Sequence, residues 1–148
     1  MPHFDWKAPD YDAVFRERAE RLQRIRQPGF DLDALKAYYK THHVEFITEW
    51  GMTFDPRNVE VGISATVPFL LFQKQADFIM WLLDRWKGRE DGLAEKSRDM
   101  GASWLCCAIS VWLWLFHPGS TVGWGSLLAH NINDRGNPKA IFLKIDAR

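Results

Sequence analysis

Residues 92–116 read GLAEKSRDMGASWLCCAISVWLWLF and include the longest apolar run of the chain. The stretch opens with the short apolar pair Leu93-Ala94, passes through the polar run 95–99, and turns almost wholly apolar after Gly101 and Ser103. This order predicts a strand, a tight turn and a buried helix. In such a turn the backbone N–H groups and the helix N-terminus present partial positive charge to an anion, typically a phosphate.

The turn departs from the common phosphate-binding pattern G-x-x-x-x-G-K-[ST]. Gly101 takes the place of the second glycine, and Ser103 that of the hydroxyl that binds Mg²⁺. Ala102 stands where the pattern has its lysine, and Lys96 where it has its first glycine. The strict pattern therefore fails. A lysine at the start of the loop can still reach the same phosphates, because only its ammonium has to arrive there.

The run Lys96-Ser97-Arg98-Asp99-Met100-Gly101-Ala102-Ser103-Trp104 resembles the deviant Walker A loop of phage terminase large subunits, the ATPases that pump DNA into procapsids. In that family an arginine often follows a serine in this loop, and some branches carry the lysine at its front. Segments 53–58 (TFDPRN), 68–75 (PFLLFQKQ) and 123–126 (GWGS) also resemble segments of the family. The resemblance extends from about Tyr38 to the C-terminus and rests on the ordered set of segments.

This resemblance implies ATP and Mg²⁺ as cofactors. Backbone amides from Met100 to Ser103, together with the Lys96 ammonium, would hold the β- and γ-phosphates, and Ser103 would bind the metal. Arg98 would be the catalytic residue that stabilises charge at the γ-phosphate. The cofactor-binding set that the resemblance implies is Gln75, Lys96, Ser97, Arg98, Asp99, Met100, Gly101, Ala102 and Ser103.

Gln75 is expected to bind the adenine base. A carboxamide donates and accepts hydrogen bonds at once, which suits the N6/N7 edge of adenine. The position of Gln75 after Pro68-Phe69 in the resemblance selects it for this role. The alternative is an exposed glutamine on a helix.

The resemblance also implies the fold class, which is α/β: an incomplete P-loop NTPase core of the RecA-like type with N-terminal helices. We expect residues 1–68 to form the helical region and a connector, and residues 69–148 to form the first part of the ATPase domain. Residues 121–126 (TVGWGS) are predicted to form a second strand, parallel to the first, with glycines that allow close backbone approach.

Residues 140–147 (AIFLKIDA) are rejected as the acidic strand of an ATPase, because a lysine interrupts the run and alanine replaces the glutamate. In terminase large subunits that strand and the nuclease domain come later, so the chain is interpreted as the N-terminal part of one.

Hydrophobic spacing predicts several further elements. A first helix is expected over 11–27, with an apolar stripe at Val14 or Phe15, Ala19, Leu22 and Ile25, and a second from Asp31 through Trp50. An amphipathic helix is expected over 69–87, with its inner face formed by Phe72, Ile79, Leu82, Leu83 and Trp86. After the loop, a helix is expected over 104–116 that is buried on every face. Short extended pieces are expected at 58–63 and 64–67, a turn at 55–58, a helix at 127–133 and a turn at 134–138, while the type of 139–145 stays open.

The composition limits the partners and the compartment. Nineteen basic and nineteen acidic residues give a formal charge of zero, so no global field attracts the chain to nucleic acid. The adjacent cysteines Cys106 and Cys107 make a poor disulfide and suit reduced core thiols. The apolar run 104–116 is shorter than the roughly 20 residues that span a bilayer, and the N-terminus has no signal-peptide pattern. We expect a soluble protein of the host cytoplasm.

Two further functions stay open at this point. The chain can be a non-catalytic interaction module that docks a small terminase subunit or the portal of the procapsid through its N-terminal helices, or it can be a helicase-like ATPase. In the motor interpretation, double-stranded DNA is contacted through the full-length protein, and copies assemble with one another on the portal. No membrane partner is expected.

Overall fold

The computed structural model describes residues 7–137 and 140–146, which form two compact units that divide between Leu70 and Leu71. The N-terminal unit contains α1 (Tyr11–Ile25), α2 (Leu32–Thr41), α3 (His43–Trp50), β1 (Met52–Phe54), a 3₁₀ helix (Pro56–Val61) and β2 (Thr66–Pro68). The C-terminal unit contains α4 (Gln73–Gly88), α5 (Ala102–Phe116), a 3₁₀ turn (Ala129–Asn131) and α6 (Ile141–Asp146).

Aspartate caps begin the first two helices. The Asp10 carboxylate accepts a 2.9 Å hydrogen bond from the amide of Ala13, and Asp31 accepts one of 2.8 Å from Ala34. Such a cap stabilises a helix by about 1 kcal/mol, because it satisfies an amide that has no partner in the first turn.

The single helix predicted from Asp31 through Trp50 is wrong, because His42 interrupts it. His42 has φ −113° and ψ 63°, which ends α2 and begins α3. Its ring nitrogen Nδ1 lies 2.8 Å from the Tyr38 carbonyl oxygen and 2.9 Å from the Thr41 hydroxyl. Local contacts of this kind compete with helical hydrogen bonds. The apolar spacing continues across the break, so periodicity could not reveal it.

The connector between α3 and α4 contains the one sheet of the described residues, an antiparallel pair in which Thr53 is opposite Val67. The turn predicted at 55–58 is confirmed, since Asp55 accepts a 3.0 Å hydrogen bond from the Arg57 amide at the start of the 3₁₀ helix. The Arg57 side chain also bonds this carboxylate and holds the pKa of Asp55 below its ordinary value. The extended piece predicted over 58–63 is wrong, because most of it is 3₁₀ helix.

A buried arginine joins α1 to the end of α3. Arg18 is 9% exposed, and its Nη2 donates 2.9 Å hydrogen bonds to the carbonyl oxygens of Thr48 and Gly51. The last carbonyls of a helix lack helical partners, and a cation is favoured at that end of the helix dipole. Burial, with a smaller contribution from Arg21, lowers the pKa of Arg18 to about 10, so its guanidinium is charged at neutral pH.

The apolar stripe predicted for α1 is therefore only partly correct. Phe15 and Leu22 are 42% and 41% exposed, whereas the charged Arg18 between them is buried. Arg18 faces inward because it donates a hydrogen bond to a carbonyl of α3. Hydrogen bonding as well as hydrophobicity therefore determines which side of α1 is buried.

The C-terminal unit packs α5 against α4 and α6. Ile79 and Leu83 of α4 are fully buried, as predicted, but Trp86 is 41% exposed. The helix predicted over 104–116 is confirmed and begins two residues earlier, whereas its burial on every face is wrong. Trp114 and Leu115 are 72% and 48% exposed, because α4 and α6 cover only part of the α5 surface. Its two cysteines are not joined in a disulfide.

The strands predicted on either side of α5 are not formed. Residues 91–97 and 121–126 have no regular structure, and Leu93 is 96% exposed. A strand is stabilised by its neighbour, and the described residues offer neither segment a partner. A Cβ added at Gly123 or Gly125 would meet nothing within 4 Å, so the predicted close backbone approach is wrong. The described structure is mainly helical, and the P-loop core stays a prediction.

The last described residues are helical or turn-like. The helix predicted over 127–133 is reduced to the 3₁₀ turn Ala129–Asn131, and the element whose type was open is α6. The turn after Asp134 is formed, with the Gly136 amide 2.9 Å from the Asp134 carboxylate, while Pro138 at its end lies outside the described residues. Within 7–137 and 140–146, no helix has the length and apolar character needed to cross a bilayer.

Replacing Arg18 with methionine tests the link between α1 and α3. Arg18→Met leaves the Thr48 carbonyl without this donor and the Gly51 carbonyl with only the Phe69 amide, so we expect the free energy of unfolding to fall by about 1–3 kcal/mol. Urea unfolding followed by tryptophan fluorescence measures it. Arg16→Met on the exposed side of the same helix is the control, with a change within about 0.5 kcal/mol. Equal effects of the two substitutions would show that Arg18 does not hold the unit together.

Candidate functional site

The loop before α5 turns through two left-handed residues. Asp99 has φ 61° and Gly101 has φ 74°, and Gly101 is the N-cap of α5. Glycine occupies this region without steric cost, and aspartate tolerates it better than most residues. Two such residues within three positions make the tight turn that the sequence predicts directly before the helix.

The N-terminus of α5 is open to a ligand. The first helical hydrogen bond runs from the Leu105 amide to the Gly101 carbonyl oxygen, at 3.0 Å, and no side chain caps this end of the helix. The amides of Ala102, Ser103 and Trp104 therefore lack helical partners and carry the positive end of the helix dipole. Ser103 is exposed at the second helical position. This end of α5 can bind an anion.

Charged side chains surround the turn. Lys96, Ser97, Arg98 and Asp99 are all exposed, and neither Lys96 nor Arg98 forms an ion pair with another described residue. Glu95 and Asp99 balance the two cations, so the side chains of 95–99 carry no net charge. Because the net charge is zero, a phosphate could be attracted only if the two cations lie closer to it than the two carboxylates do, or by the free amides of α5.

Gln75 lies at this loop, although 25 positions in the sequence separate it from Met100. Its Nε2 donates a 3.2 Å hydrogen bond to the Met100 carbonyl oxygen. Its Oε1 accepts a 3.3 Å hydrogen bond from the Phe72 amide at the start of α4, and the residue is 8% exposed. The exposed glutamine considered as the alternative is therefore wrong. The fold brings Gln75 and the loop together, as the predicted site requires.

The sequence predicts that a metal would arrive at this loop with a nucleotide. Within the described ranges, no group of three or more His, Cys, Asp or Glu side chains could hold a metal ion. Mg²⁺ is commonly held by phosphates, waters and one or two protein oxygens, so it needs no such group. The exposed Ser103 hydroxyl is the predicted protein ligand, and its position at the helix N-terminus is compatible with that role.

The N-terminal unit carries a concave surface, a groove of about 290 Å³ between α1, α2 and α3. Its polar part is a network that sequence reasoning missed. The Tyr39 hydroxyl donates to Glu49, accepts a 2.8 Å hydrogen bond from Trp50 Nε1 and a 3.3 Å bond from Arg21. Arg21 also contacts Glu49 directly. Only the three-residue spacing of Arg18 and Arg21 on α1 could have indicated that charged groups face inward.

The walls of the groove are apolar and partly exposed. Phe30 and Tyr38 are 39% and 43% exposed, and both line the groove with Leu35. Arg24 lies among them and forms no ion pair with another described residue. An aromatic wall beside an unpaired cation suits a ligand that has both apolar and acidic groups.

Comparison of the chain with known protein families, curated proteins and solved structures found no match in any of the three.

Gly101→Ala tests the left-handed turn. A Cβ at φ 74° is disfavoured, so we expect a loss of about 1 kcal/mol in the free energy of unfolding. Gly123→Ala is the control, because a Cβ there meets nothing within 4 Å, and it should change stability by less than about 0.5 kcal/mol. Gly101→Asn should lie between the two, since asparagine adopts this backbone region more readily. Equal stability of the Gly101 and Gly123 variants in urea unfolding would contradict the turn geometry.

Proposed function

We propose that this chain is the N-terminal, ATP-binding part of a DNA-packaging ATPase of the terminase large subunit type. The observation that carries the proposal is the turn 96–101, which ends at an uncapped helix N-terminus beside exposed Lys96, Arg98 and Ser103. The same residues carry the sequence resemblance. A loop that joins a left-handed turn to free helix amides is suited to bind phosphate groups.

In this function each residue has a distinct role. The amides from Met100 to Ser103 and the Lys96 ammonium bind the β- and γ-phosphates, and Ser103 binds the Mg²⁺ that accompanies them. Arg98 stabilises the charge that develops on the γ-phosphate during hydrolysis, a contribution of the kind that arginine fingers make. The described residues contain no acidic strand to polarise the attacking water, so we propose that this chain binds ATP without steady turnover.

The partners of this function follow from the resemblance. The small terminase subunit and the portal of the procapsid would bind the motor, copies of which assemble on the portal, and double-stranded DNA would be contacted through the full-length protein. The formal charge of zero is consistent with DNA contacts that lie elsewhere in such a protein.

Lys96→Ala should weaken the binding of Mg·ATP by more than about tenfold, because the ammonium supplies a charge-assisted contact to the phosphates. Isothermal titration calorimetry on the purified chain measures this. Lys87→Ala removes an exposed lysine at the far end of α4 and serves as the control, with unchanged affinity. Unchanged binding by the Lys96 variant would remove the role proposed for this lysine.

The groove of the N-terminal unit favours a second function, in which the chain is an interaction module. Exposed Phe30 and Tyr38 beside the unpaired Arg24 suit an acidic segment of a partner protein with an apolar anchor. Docking of a small terminase subunit through this groove would be such a case. Steady ATP hydrolysis by the chain alone would contradict a purely non-catalytic module.

The two functions separate experimentally. Arg24→Glu reverses the charge of the groove and should weaken partner binding, while the affinity for Mg·ATP stays unchanged, because Arg24 belongs to the other unit. Arg16→Glu makes the same charge change outside the groove and is the matched control. Equal partner binding by the two variants would exclude the groove as the docking surface.

A further inference from the structure

We propose that Gln75 is a positioning residue that holds the phosphate-binding loop in place, and that it does not recognise the adenine base. This inference rests on the proposed function, since it concerns the same loop. It changes the role expected for Gln75 from the sequence, and it implies that the site discriminates poorly between ATP and other triphosphates.

The two ends of the Gln75 carboxamide already face main-chain groups. Recognition of adenine through its N6/N7 edge needs the oxygen and the nitrogen of the carboxamide to face the base together. In this structure Oε1 faces the Phe72 amide and Nε2 faces the Met100 carbonyl oxygen. The residue is 8% exposed, so little of it is accessible to a base. A turn of the carboxamide towards a nucleotide would break both hydrogen bonds.

The hydrogen bond to Met100 determines the direction of an amide in the loop. A trans peptide is planar, so its C=O and N–H point in opposite directions. Because Gln75 holds the carbonyl oxygen of Met100, the N–H of Gly101 in the same peptide points away from Gln75. That N–H has no hydrogen-bond partner among the described residues. It is therefore free to bind a phosphate beside the α5 amides.

The same contact restrains the left-handed turn. Met100 lies between Asp99 at φ 61° and Gly101 at φ 74°, and Gln75 bonds the one peptide between Met100 and Gly101. Without this contact, Asp99 and Gly101 would be free to leave the left-handed region, which is unfavourable for Asp99. The α5 amides and the Gly101 amide would then no longer point at one phosphate. Loss of the contact should thus weaken the binding of any triphosphate, whatever its base.

Two substitutions separate the functions of the carboxamide. Gln75→Glu keeps an oxygen that accepts from the Phe72 amide, since glutamate and glutamine both accept from an N-cap amide at this helical position, but it cannot donate to Met100. Gln75→Met removes both contacts and adds no charge. Gln73→Glu adds the same charge in the first turn of α4 at an exposed residue, and it is the control for electrostatic repulsion.

The test measures the affinity of each variant for Mg·ATP, Mg·GTP and Mg·tripolyphosphate by titration calorimetry. Both Gln75 variants should lose about tenfold in affinity for all three ligands, the equivalent of one hydrogen bond at the site. Gln73→Glu should stay within about twofold of wild type. Amide hydrogen exchange without ligand should be faster over residues 96–103 in both Gln75 variants, and both should unfold at a lower temperature than wild type, because each loses the hydrogen bond to the Met100 carbonyl oxygen.

Three results would overturn the inference, and they differ from one another. A loss confined to Mg·ATP would show that Gln75 recognises the base. Unchanged exchange over residues 96–103 in both Gln75 variants would show that the hydrogen bond does not hold the loop. Failure of the wild-type chain to bind any of the three ligands would overturn the proposed function itself, and faster exchange would then report a structural contact without a role in binding.

Discussion

The left-handed backbone at Asp99 and Gly101 is the constraint on which the candidate site depends. It makes a tight turn directly before α5, which begins with its first amides free of helical partners. A right-handed turn here would extend the helix backwards and occupy those amides with carbonyl oxygens. The turn thus leaves donors without acceptors, as the proposed anion site requires.

Both units use a buried polar side chain to bind main-chain carbonyls where regular structure ends. In the N-terminal unit Arg18 binds the carbonyls of Thr48 and Gly51 after α3, and in the C-terminal unit Gln75 binds that of Met100 before α5. Each side chain comes from a helix distant in sequence from the carbonyls it binds. Buried polar groups require such partners, so these contacts specify local geometry more strongly than apolar packing does.

The sequence predicts the local elements well where a cap or an apolar stripe marks them. Asp10 and Asp31 mark the starts of α1 and α2, since a cap depends on a single residue, whereas α5 begins at Ala102, two residues before its predicted start. The break at His42 and the burial of Arg18 could not be predicted, because both depend on contacts that the apolar pattern does not contain. The strands beside α5 were inferred from an expected sheet, and the described residues supply no partner strand to form one.

The sequence predicts the members of the candidate site but not the contacts between them. Spacing and resemblance selected Gln75 and the loop residues 96–103, and the fold joins them through a hydrogen bond to Met100. The direction of that bond, from the carboxamide to the loop backbone, is a tertiary feature that one sequence cannot give. It changes the expected role of Gln75 from recognition of a base to support of the loop.

A nuclear magnetic resonance titration of the ¹⁵N-labelled chain with Mg·ATP tests most directly whether this loop binds a triphosphate. We expect saturable shifts that are largest at the amides of Gly101, Ala102 and Ser103, with a smaller shift at the side-chain amide of Gln75. Shifts confined to the N-terminal unit, or none at all at millimolar nucleotide, would contradict the claim that this loop binds a triphosphate.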